Sequence, residues 1–247
     1  MSDQAQVPRH PIDLILVEDS ASDAELIADA LAEAGLAIAV RRVDDETGLR
    51  AAFDERLPDA ILADWTLPRY CGRDALTLAR ERCPAVPFIF VSGTIPESAA
   101  FESLRQGATD YLLKQHVQQV GAILIRALEE VQTQRSLRES LAFNRSILDS
   151  VSAEIAVLDP DGVILEVNQP WQRFALENGI VHGRPAPGSD IGVNYLAVFR
   201  TADGIITDHY SLNAEHGIRA VLDGSLTDFQ MEYPYHSPQC ERWFIAE

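Results

Sequence analysis

The stretch ILADWTLP, residues 61–68, is an apolar run that ends on an acidic residue. Ile61, Leu62 and Ala63 predict a buried strand, and Asp64 follows them directly. Burying a carboxylate without a partner or a cation costs free energy. Two interpretations are open at this point: Asp64 is an ordinary loop residue or helix cap just outside a sheet, or it belongs to a functional site.

The composition is that of a globular chain with an excess of acidic groups. The 247 residues are 47% hydrophobic, and 38 acidic side chains against 20 basic ones give a formal net charge of −18. This length predicts one or two domains. The negative charge disfavours nucleic acid as a partner, because phosphates would be repelled. Few scattered cysteines, a polar N-terminus and no long apolar run predict a cytoplasmic protein without a membrane partner.

Strand and helix signals alternate through the first half of the chain. Short apolar runs predict five strands, at 12–17, 38–43, 60–64, 87–93 and 110–114. Helical segments separate them, and Ser22 with Glu25 fits a capping box at the start of the first. This alternation is typical of an α/β fold with a flavodoxin-like, doubly wound, five-stranded parallel sheet in the order 2-1-3-4-5.

Polar side chains follow these strands at their carboxyl ends, the edge where such sheets bind ligands. Glu18 and Asp19 follow the first strand, Asp64 follows its neighbour, and Ser92 and Lys114 end the fourth and fifth. Clustered carboxylates need a cation, and their oxygens suit Mg²⁺, with Mn²⁺ as a substitute. A carboxylate beside Mg²⁺ and a lysine can act as a nucleophile towards phosphorus. The cation and Lys114 would then neutralise charge on the transferring oxygens, and the Ser92 hydroxyl would hold a phosphoryl oxygen. The alternative is a set of unrelated polar strand ends.

Four segments, ILVED, ILADWTLP, FIFVSGT and ATDYLLK, together resemble the receiver domain of two-component response regulators over about residues 12–130. The resemblance implies that Asp64 is the phosphorylated residue and that Lys114 pairs with the phosphate. It implies Mg²⁺ ligation by Glu18, Asp19, Asp64 and the backbone carbonyl of Thr66. It also implies a histidine kinase or phosphotransfer protein as partner and slow hydrolysis of the acyl phosphate.

The same resemblance implies a coupled switch pair, Ser92 and Tyr111. The hydroxyl turns towards the phosphate and the aromatic ring turns inward. The chain departs from many receivers after Lys114, where Gln115 stands in place of proline. This departure leaves the shape of the following loop open.

The segment 116–150 predicts one long signalling helix that continues from the last helix of the receiver domain. It contains no proline, and mostly apolar positions recur at steps of three and four, with one skip: Val120, Leu124, Ala127, Val131, Gln134, then Leu137, Leu141, Leu148 and Val151. We expect this helix to pair with its copy in a homodimer. The alternative is an ordinary last receiver helix followed by a separate linker helix.

Residues 151–247 predict an α+β domain with an antiparallel sheet. A hairpin at 154–168 is followed by helices at 169–179 and 212–224 and by a strand at 229–235. The segment VLDPDGVILEVNQPWQRFA resembles a PAS sensor domain, and we expect this domain to be incomplete at its C-terminus. Its ligand stays open and we expect none, since haem ligation is disfavoured for scattered histidines, namely His182, His209, His216 and His236.

Taken together, the sequence predicts a disordered N-terminus (1–11) and phosphorylation-dependent signalling, in which a phosphoryl group on Asp64 is relayed through the helix to the PAS domain. The alternatives are a scaffold module with a degenerate receiver, or the N-terminal part of a longer histidine kinase or diguanylate cyclase. A dehalogenase-type phosphatase is disfavoured because Thr66 stands where its second acid is needed. We predict no separate enzyme beyond phosphotransfer and slow self-dephosphorylation.

Overall fold

The computed structural model describes most of the chain as two compact units. The units are Met1–Arg138 and Glu139–Glu247. The described residues are 10–68, 70–93, 97–179, 186, 188–197, 208–234 and 243–246. Most of the predicted disordered segment 1–11 lies outside these ranges. No helix in the described ranges is long and apolar enough to cross a membrane.

The N-terminal unit contains a five-stranded, all-parallel sheet. Its order is β2-β1-β3-β4-β5, as the sequence predicts. The strands are β1 (Ile12–Val17), β2 (Ile38–Val43), β3 (Ala60–Ala63), β4 (Phe88–Ser92) and β5 (Asp110–Leu113). Every residue of β1, β3 and β4 is buried, because helices cover both faces of the sheet.

Four helices connect the strands, and a 3₁₀ segment with a long helix follows them. The helices are α1 (Ala21–Glu33), α2 (Glu46–Glu55), α3 (Gly72–Arg82) and α4 (Glu97–Arg105). The 3₁₀ segment Lys114–Gln119 leads directly into α5 (Val120–Ser150). One core layer joins α1 and the start of α5 to the sheet, and a second joins α2 and α3 to its other face.

Helix α1 begins earlier than the sequence predicts. Ser20 is its N-cap, and the Ser20 hydroxyl accepts a hydrogen bond from the Asp23 backbone N–H at 3.3 Å. The predicted capping box of Ser22 and Glu25 was therefore wrong by two residues. The preceding acid accounts for this difference. The Ser20 backbone N–H donates a hydrogen bond to Glu18 Oε1 at 3.0 Å, and this bond turns the chain at Ser20.

The long helix is confirmed, and it runs for 31 residues. Its first turns belong to the core of the N-terminal unit, where Val120, Leu124 and Ala127 are buried. Further along, Leu137 and Leu141 are each 60% exposed. The apolar positions of the repeat therefore divide into an early set that is buried in the core of the N-terminal unit and a later set, Leu137 and Leu141, that is exposed.

In the C-terminal unit, the predicted hairpin follows the end of α5. Strands β6 (Ala156–Leu158) and β7 (Ile164–Val167) pair antiparallel, and Gly162, with φ +83°, closes the turn between them. Helices α6 (Gln169–Glu177) and α7 (Asp208–Leu222) and the antiparallel pair β8 (Met231–Pro234) and β9 (Trp243–Ala246) follow. The described strands thus form two small two-stranded sheets, which do not by themselves establish a PAS domain.

The four histidines of this unit lie only partly within the described ranges. His182 and His236 lie outside them. Tyr235, the last residue of the predicted strand 229–235, also lies outside the described ranges. His209 and His216 both lie on α7, and His216 is exposed. The described residues therefore supply no observation that favours haem.

Asn168 joins three segments of the C-terminal unit, which includes the last turns of α5. Its side chain is almost fully buried, and its Oδ1 accepts hydrogen bonds from the backbone N–H groups of Ile155 (2.9 Å) and Trp171 (3.1 Å). Its Nδ2 donates to the backbone carbonyls of Leu148 (3.1 Å) and Ala153 (2.8 Å). One side chain thus joins the last turns of α5, the start of the hairpin and the N-terminus of α6.

We predict that Gly121→Ala destabilises the protein. A Cβ at Gly121 would lie 2.3 Å from Ala34 Cβ, at the point where α5 crosses the end of α1. Such overpacking lowers the free energy of unfolding by about 1–3 kcal/mol, although the same exchange in an open helix gains roughly 1 kcal/mol. Urea unfolding checks this, with Ser136→Ala on the exposed part of α5 as the control for helix propensity.

A second variant makes the test specific to this contact. Adding Ala34→Gly to Gly121→Ala removes the opposing methyl group and is expected to restore most of the lost stability. Unfolding of Gly121→Ala at a higher urea concentration than the wild type contradicts the close approach.

Candidate functional site

The carboxyl ends of β1, β3 and β5 meet at one edge of the sheet and bring four charged side chains together. Lys114 Nζ lies 2.7 Å from Glu18 Oε2, 2.8 Å from Asp64 Oδ2 and 2.5 Å from Asp23 Oδ2. Lys114, Glu18 and Asp64 follow strands, whereas Asp23 lies in the first turn of α1. One ammonium group therefore bridges three carboxylates.

Burial controls the electrostatics of this cluster. Glu18 is 1% exposed, and its desolvation raises its pKa, which hydrogen bonds from Lys114 and from the Ser20 backbone N–H partly offset. Desolvation also opposes the charge of Lys114, but hydrogen bonds to Asp23, Asp64 and Glu18 outweigh it and raise the pKa of the ammonium. Lys114 is therefore charged at every physiological pH.

The loop after β3 is held close to Asp64 by its backbone. The Asp64 side chain is 11% exposed, and its Oδ1 accepts a hydrogen bond from the Thr66 backbone N–H at 3.3 Å. Gly72 packs against the same segment: a Cβ there would lie 2.5 Å from the Asp64 carbonyl oxygen and 2.9 Å from the Phe90 ring. Only a glycine allows α3 to begin this close to Asp64.

The other predicted site residues lie at the same edge of the sheet but outside the charged cluster. Asp19 is exposed, and its backbone carbonyl accepts a hydrogen bond from Arg42 at 3.2 Å. Thr66 is exposed in the loop after β3. Ser92 is buried at the end of β4, and Tyr111 lies on the neighbouring strand β5 with 40% of its surface exposed.

The metal site expected from the sequence is only partly assembled. The described residues contain no cluster of three or more acidic, cysteine or histidine side chains with the arrangement of a metal site. Glu18 and Asp64 converge, but on the ammonium of Lys114, while Asp19 is exposed. The donor chemistry of these carboxylates and of the Thr66 carbonyl nevertheless fits Mg²⁺, which prefers oxygen ligands and retains several waters.

Sequence reasoning missed Asp23. Two features of the sequence point to Asp23. It lies about one helical turn after Glu18 and Asp19, the acidic pair that follows β1, and the composition of the chain is the second feature. Lys114 is the only lysine in the sequence, and every other basic side chain among the 20 is an arginine. A lone lysine among arginines indicates a position where a compact ammonium group is needed. Such a group can contact more than one carboxylate, and an acid close to Glu18 and Asp19 in sequence is a candidate for that contact.

Comparison with known proteins agrees with this geometry. Residues 14–124 match the family model described as the response regulator receiver domain. This segment is a receiver domain. Receiver domains in general accept phosphoryl groups from histidine kinases in two-component systems.

Individual relatives match over less than half of the chain. An uncharacterized 104.1 kDa protein in the hypE 3′ region of Rhodobacter capsulatus is 37% identical over 43% of this chain and 11% of its own length. The luminescence regulatory protein LuxO of Vibrio campbellii is 34% identical over 40% of this chain and 21% of its own length. The chain thus spans a tenth to a fifth of the length of these two relatives.

Solved structures also resemble this chain. The phosphorylated cyanobacterial phytochrome response regulator RcpA is 26% identical, with a TM-score of 0.41 over 45% of this chain and 91% of that one.

Tyr70, in the loop that leads from Asp64 to α3, makes the alkaline stability of the protein testable. Its hydroxyl is buried without a hydrogen-bond partner among the described residues. Burial, with Glu46 and Asp74 nearby, raises its pKa from 10.0 to about 12. Because the pKa of Tyr70 is higher in the folded state than in the unfolded state, its contribution to the free energy of unfolding is complete below pH 10 and is lost as the pH rises towards 12.

We therefore expect Tyr70→Phe to lose less stability than the wild type between pH 10 and 12, and to be at least as stable at neutral pH. Urea unfolding across this range measures the effect. Tyr111→Phe, at an exposed ring, is the control. Parallel alkaline profiles for the wild type and Tyr70→Phe contradict the burial of this hydroxyl.

Proposed function

We propose that Asp64 accepts a phosphoryl group from a partner histidine kinase or phosphotransfer protein. The observation that carries this proposal is the bond from Lys114 Nζ to Asp64 Oδ2 at 2.8 Å, at the ligand-binding edge of a receiver sheet. The ammonium lies where it can neutralise charge that develops on transferring oxygens. The neighbouring Glu18 adds a second carboxylate to the same site.

The transfer is a displacement at phosphorus. A carboxylate oxygen of Asp64 forms the new P–O bond as the P–N bond of the donor's phosphohistidine breaks, and the donor imidazole keeps the bonding electron pair. Lys114 donates to a phosphoryl oxygen, and Ser92 at the end of β4 supplies a hydroxyl at the same edge. Glu18, Asp19, Asp64 and the Thr66 carbonyl would hold Mg²⁺, which would supply further neutralisation of the phosphoryl charge. Water later cleaves the acyl phosphate slowly.

The first test is intact mass after incubation with Mg²⁺ and acetyl phosphate. We expect the wild type to gain one phosphoryl group and Asp64→Asn to gain none, because an amide is not a nucleophile. Asp29→Asn, an exposed acid on α1, controls for the loss of one charge. The gain should also disappear when Mg²⁺ is removed with a chelator. A wild type that stays unmodified at saturating donor favours the degenerate interaction module.

We further propose that the phosphorylated state is relayed along α5 to a PAS-like domain in residues 151–247. Two observations support the relay. Lys114 is the first residue of the 3₁₀ segment that leads into α5, so a shift of its side chain acts on the base of that helix. At the other end, Asn168 binds the Leu148 carbonyl of α5. The hairpin β6–β7 followed by α6 supports the PAS-like assignment. We propose no cofactor for this domain.

The proposed switch uses Ser92 and Tyr111. The two residues lie on neighbouring strands, where Ser92 pairs with Leu113 and Phe90 pairs with Tyr111. Tyr111 is 40% exposed in this structure, so an inward turn of its ring, when the Ser92 hydroxyl moves towards the phosphoryl group, would bury surface that is now exposed. Such a change shifts the balance between two states that both exist beforehand.

A homodimer through the 116–150 helix completes the proposal. Val120, Leu124 and Ala127 are packed in the receiver core, so the dimer contact falls on the later positions. Leu137 and Leu141 are one helical turn apart and 60% exposed, and Val151 is 41% exposed. Apolar positions at heptad spacing fit a second helix of the same period, and a copy of this chain supplies one.

We expect Leu137→Glu combined with Leu141→Glu to shift the protein from dimer to monomer, because like charges would face each other across the seam. Sedimentation velocity at several concentrations measures this. Arg138→Glu, an adjacent exposed position off the seam, controls for added charge. A wild type that sediments as a monomer throughout contradicts the dimer and leaves a relay within one chain.

A further inference from the structure

Asp23 contributes the closest of the three carboxylates around Lys114, and neither the sequence pattern nor the proposed phosphoryl transfer assigns it a role. Asp23 Oδ2 lies 2.5 Å from Lys114 Nζ, compared with 2.7 Å for Glu18 and 2.8 Å for Asp64. The Asp23 side chain is 37% exposed, whereas that of Glu18 is 1% exposed. An exposed acid would ordinarily stay in water, so its contact with the ammonium needs a reason.

The backbone holds Asp23 in this position. The Ser20 backbone N–H donates to Glu18 Oε1 at 3.0 Å, and the Asp23 backbone N–H donates to the Ser20 hydroxyl at 3.3 Å. The cap of α1 therefore sets the distance between the Glu18 and Asp23 carboxylates. A negative side chain in the first helical turn also interacts favourably with the helix dipole.

An ammonium group has three N–H donors, and here each faces a carboxylate oxygen. Glu18 and Asp23 occupy two of them, which leaves the third for Asp64. We propose that Asp23 is a positioning residue, which together with Glu18 orients Lys114 so that its remaining donor is directed at the phosphoacceptor. This inference rests on the proposed transfer to Asp64.

The lone lysine supports this assignment. A guanidinium is planar and presents its donors in a fork, whereas an ammonium presents three donors around one point. Three carboxylates from different elements around one atom match the second geometry. In the proposed mechanism Glu18 is also a candidate Mg²⁺ ligand, so its oxygens are shared between two cations. Asp23 has no such second task and holds Lys114 independently of the metal.

Asp23 has two opposite effects on the proposed transfer. As a positioning acceptor, Asp23 aids transfer; as a negative charge, it repels the incoming phosphoryl group. Asp23→Asn keeps an oxygen acceptor within reach of Lys114 and removes the charge. Asp23→Ala removes both. The proposal therefore predicts that these two variants differ from each other.

The experiment compares phosphorylation rates by intact mass at saturating Mg²⁺ and acetyl phosphate. We expect Asp23→Ala to react about tenfold more slowly than the wild type, because the ammonium loses its fixed orientation. Asp23→Asn should stay within about threefold of the wild type, on the same grounds of retained orientation. Glu25→Ala removes an exposed acid from the same helix, so its rate should equal that of the wild type.

A second readout reports on Lys114 without any reaction. Because the chain has one lysine, ¹³C,¹⁵N-lysine labelling gives a single side-chain ammonium NMR signal. We expect this signal to shift and broaden in Asp23→Ala and to change little in Glu25→Ala. Circular dichroism melting confirms that each variant is folded, which separates a loss of orientation from a loss of structure.

The outcomes separate the two proposals. A wild type that is phosphorylated while Asp23→Ala reacts at the same rate overturns the role of Asp23 and keeps Asp64 as acceptor. Equal slowing in Asp23→Ala and Asp23→Asn, or faster reaction in both, shows that charge rather than orientation matters and also overturns it. A wild type that is not phosphorylated overturns the function itself, and the role of Asp23 with it.

Discussion

The bridge from Lys114 to three carboxylates is the interaction on which the functional end of this protein depends. Glu18 is buried, and an isolated carboxylate there would be strongly unfavourable. The Lys114 ammonium compensates this charge. Its contacts with Glu18, Asp64 and Asp23 also hold β1, β3 and α1 to the end of β5. Removing one partner of such a buried group leaves a charge uncompensated, which costs far more than the net gain of forming the pair.

The sheet could be predicted from the sequence because its two sequence features, apolar strands and polar strand ends, are both local. Parallel strands buried on both faces must be continuous apolar runs, and the acids that interrupt them can lie only at the ends. The sequence alone therefore suffices to place Asp64 at the edge of the sheet. Asp23 could not be placed in the same way, because its role depends on the cap at Ser20. A shift of two residues in the predicted start of α1 was enough to hide it.

The C-terminal unit shows the limit of the same reasoning. A hairpin with an Asp-Pro-Asp-Gly turn is a local signal, and β6 and β7 form as expected. Whether this hairpin and the later pair β8–β9 join one sheet depends on contacts between residues far apart in sequence, and the described part of the chain shows them as separate two-stranded sheets. Asn168 was also hidden for this reason, since its partners come from α5, the hairpin and α6 at once.

Helix α5 illustrates why a repeat in sequence does not identify the surface that it packs against. Val120, Leu124 and Ala127 obey the same spacing as Leu137 and Leu141, yet the first set is buried against α1 and the sheet while the second is exposed. Gly121 contributes to the packing of the first set, because its missing side chain lets α5 approach Ala34 closely at that level. The helix is thus anchored at its base beside Lys114 and exposed beyond it. A charge-driven movement at the site would therefore act on the anchored turns, and the exposed turns would carry it away from the sheet.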